Sequence, residues 1–295
     1  MRIGFIGLGA MGLPMAGHLV AAGHEVTVAS RGRGPIEAAM AQGAREGASP
    51  QAVAEASEVT FLCVPNSPEV VQVVDAMLPA LGPGTTVVDC STIDPEVERA
   101  QHARVTATGA RYLDAPLSGG TAGAHKGTLT LMVGGDAAVL ADTEPAMDPF
   151  AGLVVHVGGP GMGQVVKLCN NLIYAAQMTA TAEATAMAVK SGVDMAKLLE
   201  VLTHATGDCV AVRTRLPVPG VVADSPASNG WQPGFMTDLM AKDLDLAMAY
   251  AARTGVPVST TAAARQLLTA ASAAGYGRED FSAVAKVVLA LANAG

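Results

Sequence analysis

"RIGFIGLGAMGLPMAGHL", residues 2–19, begins with a short apolar run and passes through Gly7, Gly9 and Gly12 into a stretch with helical apolar spacing. Residues 2–6 read as a β-strand, and the glycines fall in the pattern G-x-G-x-x-G. Gly-rich turns are common, so the pattern alone is weak. Between a strand and a helix it acquires a purpose. Gly7 permits the tight turn, Gly9 lets backbone approach a pyrophosphate, and Gly12 lets helix and strand pack closely. Leu8, Ala10 and Met11 complete the turn, and unpaired N–H groups at the helix start attract an anion. The bland alternative is a tight turn that binds nothing.

Downstream, "EVTVA" (25–29), "VTFLCV" (59–64), "TVVDC" (86–90), "RYLDA" (111–115), "TLTLMV" (128–133) and "LVVHV" (153–157) read as further strands. Segments such as "LPMAGHLVAAG" and "SPEVVQVVDAMLPAL" between them have helical spacing. Near-continuous apolar strands linked by helices predict a parallel sheet covered on both faces. After "HVGGPGMGQ" nearly everything reads as helix, apart from the Pro- and Gly-rich loop "RLPVPGVVADSPASNGWQPGF". The expected fold class is α/β: an N-terminal Rossmann-type dinucleotide-binding domain, residues 1–162, followed by an all-helical domain, residues 163–295.

Composition narrows the function. The chain of 295 residues is half apolar, 15% charged and carries a net charge of −8 without a Lys/Arg block, which argues against nucleic acid as partner. The most apolar long stretch, 172–189, contains Gln177, Glu183 and several threonines, so no membrane span is expected. The N-terminus runs straight into a strand without a leader pattern, so a cytoplasmic location is expected. Cys63, Cys90, Cys169 and Cys209 lie far apart with no CxxC pair, and no metal site is expected.

The end of the second strand selects between dinucleotides. An acid there takes both ribose hydroxyls of NAD, whereas a basic residue accommodates the 2′-phosphate of NADP. Here Ser30 stands at that point, followed by Arg31 and Arg33, so NADP is the preferred expectation and NAD the possible one. Ser118, Gly119 and Gly120 in "DAPLSGG" offer a hydroxyl and open N–H groups to a carboxylate, or form only a flexible connection. In "GMGQVVKLCNN" (161–171), Lys167, Asn170, Asn171 and Tyr174 fall on one side of a helix and face either water or a site. Hydride transfer at a carbinol carbon also requires a proton to move on or off the oxygen, a task for which a partly desolvated lysine is suited.

These segments, together with "VVDCSTIDP" and "PGFMTDLMAKDLDLA", resemble the β-hydroxyacid dehydrogenases in the family's order and along nearly the whole chain. The helical half is most similar to the branch that handles 3-hydroxyisobutyrate in valine breakdown. The resemblance implies a reversible NAD(P)-dependent oxidoreductase acting on a small 3-hydroxy acid or its semialdehyde. It implies Lys167 as catalytic residue with Asn171 as partner, and Ser118, Gly119 and Gly120 on the substrate carboxylate, with Phe235 as an apolar wall. Val64, Pro65, Asn66, Thr92 and Lys242 would lie along the cofactor, and a homodimer or homotetramer would form through the helical domain. Val210 stands where valine-pathway enzymes commonly carry Trp, and the missing acid after the second strand looks more like NADP-using relatives. Reductases of tartronate semialdehyde, succinic semialdehyde or glyoxylate, and a catalytically silent dinucleotide-binding scaffold, are the alternatives.

Overall fold

The computed structural model describes residues 1–293 and divides the chain into two compact units, Met1–Lys167 and the remainder from Leu168. The strands of the first are β1 (Arg2–Ile6), β2 (Glu25–Ala29), β3 (Arg45–Glu46), β4 (Val59–Leu62), β5 (Thr86–Asp89), β6 (Arg111–Asp114), β7 (Leu117–Ser118), β8 (Leu129–Gly135) and β9 (Ala151–Gly158). Its helices are α1 (Gly12–Ala21), α2 (Arg33–Ala41), α3 (Pro50–Glu55), α4 (Ser67–Met77), α5 (Pro95–Thr106), α6 (Gly120–Lys126) and α7 (Ala137–Thr143).

Strands β3-β2-β1-β4-β5-β6 run parallel in that order. The expectation of a wholly parallel sheet needs correction beyond β6. Both β6 and β7 pair antiparallel with β8, and β9 then pairs parallel with β8. The cause is connection length. A parallel return needs a crossover of a dozen or more residues, and the short α6 segment between β7 and β8 is better suited to an antiparallel return. The last strand also departs from the buried pattern, with Leu153 and Val155 exposed.

Alternation along the strands sends side chains to two faces. Ile3, Phe5, Val28, Phe61 and Val88 pack with Met15 and Leu19 of α1 and Ile36 of α2. Ile6, Leu62, Val87 and Tyr112 pack with Val53 of α3 and Val70, Val74 and Met77 of α4. The rings of Phe5 and Phe61 lie 6.0 Å apart, and Phe150 meets Phe61 edge-on at 5.4 Å. Each such fully buried apolar side chain contributes roughly 1.5–3 kcal/mol. Local signals set the helix starts: the Asp94 carboxylate accepts from Glu96 N ahead of Pro95, and Ser49 and Asp136 cap α3 and α7 in the same way.

Helix α8 (Met162–Lys190) is unbroken; it begins in the first unit and ends in the second. Then follow α9 (Met195–His204), α10 (Val210–Arg215), α11 (Thr237–Thr254), α12 (Ser259–Ala271) and α13 (Val284–Asn293). The core of the second unit joins Ala175 and Met178 of α8 to Met240 and Leu244 of α11, Leu268 of α12, and Phe281 and Val284. The expected loop before α11 holds one short 3-10 turn, Pro226–Asn229.

Candidate active site

Parallel register brings Ile6, Ala29, Leu62, Asp89 and Asp114 level at the carboxyl ends of five adjacent strands. The chain leaves β1 and β4 in opposite directions across the sheet, which opens a crevice at this edge, where ligands of such sheets bind. The glycine turn sits there. Gly7 has φ +101°, and a Cβ on it would lie 2.2 Å from the Cys63 carbonyl oxygen. One on Gly12 would lie 2.0 Å from the Gly7 oxygen, whereas one on Gly9 would meet nothing within 4 Å. The first and third glycines thus serve the chain's own packing, and the second keeps the backbone open to a pyrophosphate. No acidic residue in the first turn of α1 opposes such an anion. The turn fits a dinucleotide.

Around it, Leu8 N donates to Ser30 Oγ at 3.4 Å, and Val64 N donates to Ser91 Oγ at 3.0 Å. These bonds tie the turns after β1, β2, β4 and β5 to one another in pairs. Pro65 and Asn66 lead into α4, and Thr92 follows Ser91 directly. The two arginines differ. Arg33 opens α2 and donates to Glu46 at 2.7 and 2.8 Å and to Glu37 at 3.0 Å. Arg31 is 80% exposed, with Glu69 at 4.0 Å. Ser118 ends β7, and Gly119 (φ +134°) and Gly120 (φ +61°) turn the chain into α6, conformations a side chain would strain.

On α8 the polar stripe faces inward. Lys167 is 7% exposed and Asn171 1%, while Asn170 and Tyr174 are half-buried. Asn171 Nδ2 donates to Asp243 Oδ2 at 2.6 Å, and Asn170 Nδ2 donates to Asn171 Oδ1 at 3.0 Å. The Lys242 ammonium lies 3.0 Å from Asp243 Oδ1 as an ion pair without hydrogen-bond alignment. Asp243 therefore joins Asn171 to Lys242. One turn further, the Tyr174 hydroxyl accepts from Arg215, whose Nε donates to Asp280 Oδ1 at 3.1 Å. Asp280 Oδ2 accepts from the backbone N–H groups of Gly234 and Phe235, each at 3.1 Å, fixing the turn that carries Phe235.

Residues 2–159 match the family model described as the NAD binding domain of 6-phosphogluconate dehydrogenase. Residues 161–288 match that described as the NAD-binding of NADP-dependent 3-hydroxyisobutyrate dehydrogenase. A probable 3-hydroxyisobutyrate dehydrogenase of Mycobacterium bovis is 43% identical, covering 99% of each chain. The chain belongs to the β-hydroxyacid dehydrogenase family. It is an NAD(P)-dependent hydroxyacid dehydrogenase, built on a Rossmann-type unit and a helical unit. An NAD-dependent L-serine dehydrogenase of Pseudomonas aeruginosa is 39% identical over 97% of each chain. Among solved structures, Mycobacterium tuberculosis 3-hydroxyisobutyrate dehydrogenase with L-serine is 42% identical, covers 98% of this chain and 99% of its own, and superposes with a TM-score of 0.91.

Sequence reading gives no role to several polar residues of the dehydrogenase. Asp243 in "KDLDLA" reads as a charge on a solvated face, yet it is 2% exposed. Beneath the start of α8 lies a buried network. Asp114 Oδ1 accepts from Gly161 N at 2.8 Å, and its Oδ2 accepts from Gln164 N at 3.2 Å. The Tyr112 hydroxyl donates to Glu98 Oε1 at 2.6 Å. Burial, followed by the neighbouring Asp89 and Asp114, holds Glu98 well above the ordinary carboxylate range. Burial also raises Asp114, against the N–H groups of Gly161 and Gln164. Asp89 is pushed up to about 6 by burial, against its hydrogen bonds with Ser91. Among the described residues, no helix is long and apolar enough to cross a membrane, and no His/Cys/Asp/Glu group could hold a metal ion.

Proposed function

We propose that the dehydrogenase interconverts 3-hydroxyisobutyrate and its semialdehyde, with Lys167 as the proton-transfer group and Asn171 as its partner. The supporting observation is the pair itself: two buried polar side chains one turn apart on α8, with Asn171 anchored by Asp243 at 2.6 Å. A bound dinucleotide supplies or accepts the hydride. In the oxidative direction the Lys167 amine takes the hydroxyl proton; in the reductive direction its ammonium returns a proton to the forming alkoxide. Asn171 holds the substrate oxygen, and Asp243 keeps its amide from rotating away. Ser118, Gly119 and Gly120 bind the carboxylate, and Phe235 excludes water beside the substrate methyl group.

L-Serine is the second reading, favoured by the two relatives whose descriptions carry it. It has the same hydroxymethyl and carboxylate, with an ammonium in place of the methyl. Steady-state rates over 3-hydroxyisobutyrate, L-serine, tartronate semialdehyde and succinic semialdehyde, with each dinucleotide, test the assignment. Turnover of none of them would sink it.

For the cofactor, Ser30 and the exposed Arg31 support a preference for NADP over NAD, whereas Arg33 is already neutralised by two glutamates. Arg31→Ala is expected to lower kcat/KM with NADP by about tenfold or more and leave that with NAD within about twofold, since a charge-assisted phosphate contact is lost in only one case. An equal change with both dinucleotides removes this basis for the preference. The exposed Ile173, Met187 and Val201 support assembly as a homodimer or homotetramer through the helical unit.

A further inference from the structure

We infer that Gln164 is a positioning residue that locks the turn bearing Thr92 onto the first turns of α8, and so holds Thr92 and Lys167 in a fixed relation; the inference rests on the roles given to those two residues above. Gln164 is fully buried. Its Oε1 accepts from Ile93 N at 3.1 Å, and its Nε2 donates to Ser91 O at 2.9 Å and to Glu98 Oε2 at 2.9 Å. Two of these partners are the backbone groups on either side of Thr92. The amide pairs with a carbonyl and an N–H two residues apart, much as a neighbouring strand would.

The orientation of the amide follows from its surroundings: Ile93 N–H needs an acceptor and Ser91 O needs a donor. Ile93 is fully buried and Ser91 is 3% exposed, so both backbone groups depend on a partner from within the protein. The same helical turn is held from below, where Asp114 accepts from Gly161 N and Gln164 N. Lys167 lies three residues further along this fixed segment. A glutamate at 164 would satisfy Ile93 but place an oxygen against both Ser91 O and Glu98; a leucine would satisfy nothing.

Gln164→Leu is expected to lower kcat about tenfold to a hundredfold, the cost of a small displacement of reacting groups. The primary deuterium isotope effect on kcat, read with 3-hydroxyisobutyrate or L-serine deuterated at the hydroxymethyl carbon, is expected to rise. A merely structural role would reduce the folded fraction and leave that isotope effect unchanged, which overturns the inference. The double variant Glu98→Gln with Gln164→Glu serves if Gln164→Leu does not fold. It keeps the Tyr112 and Ile93 contacts and restores a donor between positions 98 and 164, but it removes the donor to Ser91 O. Melting near wild type with kcat still low supports the inference; recovery of both overturns it. Near-normal turnover in Lys167→Ala would undo the underlying reading, whereas an inactive Lys167→Ala beside an unimpaired Gln164→Leu removes only the role of Gln164.

Discussion

Lys167→Ala is expected to lose about a thousandfold in turnover while binding NADP with near wild-type affinity. General acid–base groups contribute roughly a hundredfold to ten-thousandfold, and a thousandfold corresponds to about 4 kcal/mol of barrier. Dinucleotide affinity should survive, because the groups assigned to the phosphates and ribose, from Gly7 to Gly12 and at Ser30 and Arg31, lie far from position 167 in sequence and belong to other elements. Lys167→Arg provides a sharper comparison. It keeps the positive charge but cannot surrender a proton near neutral pH, so it should be nearly as slow as the alanine variant in the oxidative direction. Steady-state kinetics beside a fluorescence titration of the dinucleotide give both quantities. If Lys167→Ala keeps turnover within about tenfold of wild type, the amine is not the general acid–base group.

What could be read in advance depended on the range of the interaction. The strand-turn-helix around Gly7, Gly9 and Gly12 is local, and its spacing carries the steric reason for each glycine. The inward stripe of α8 is also local, because positions three and four apart share a helix face. Its partner is not: Asp243 is separated from Asn171 by 72 residues, and only the fold of the second unit brings them together. Glu98 shows the same limit more strongly. In "PEVERAQHAR" it is one charge among several on an apparently solvated helix, and no periodicity marks it as the residue that receives Tyr112 and Gln164. The direction of β8 was hidden for a different reason. An apolar run is the same read parallel or antiparallel, and only the brevity of the connection through α6 points to the return. Arg33 was visible as a cation, but Glu46, which takes it up, lies on a two-residue strand too short to leave a pattern.

Asp89→Asn is expected to stabilise the protein at neutral and alkaline pH and to change little near pH 4. Asp89 and Asp114 are register partners at the ends of β5 and β6, so two carboxyl groups stand side by side, with Glu98 close to them. Asp89 Oδ1 accepts from Ser91 N at 2.8 Å, while Oδ2 is buried without a hydrogen-bond partner. Burial, with a smaller push from Asp114, raises its value from 3.8 to about 6. The folded state therefore holds the proton more tightly than the unfolded chain does. Stability from this group is complete below about pH 4 and is lost as pH rises through about 6, a loss on the order of 3 kcal/mol at 1.4 kcal/mol per unit. Asparagine keeps the acceptor for Ser91 N and has no charge to acquire, so the variant should escape that loss. Glu98 and Asp114 are raised in the same direction and remain, so the wild-type decline between pH 4 and 6 should become shallower without disappearing. Urea unfolding of both proteins across pH 4 to 8 measures the difference; parallel curves would mean that Asp89 is ionised throughout and that its neighbours, rather than Asp89, bear the shared proton.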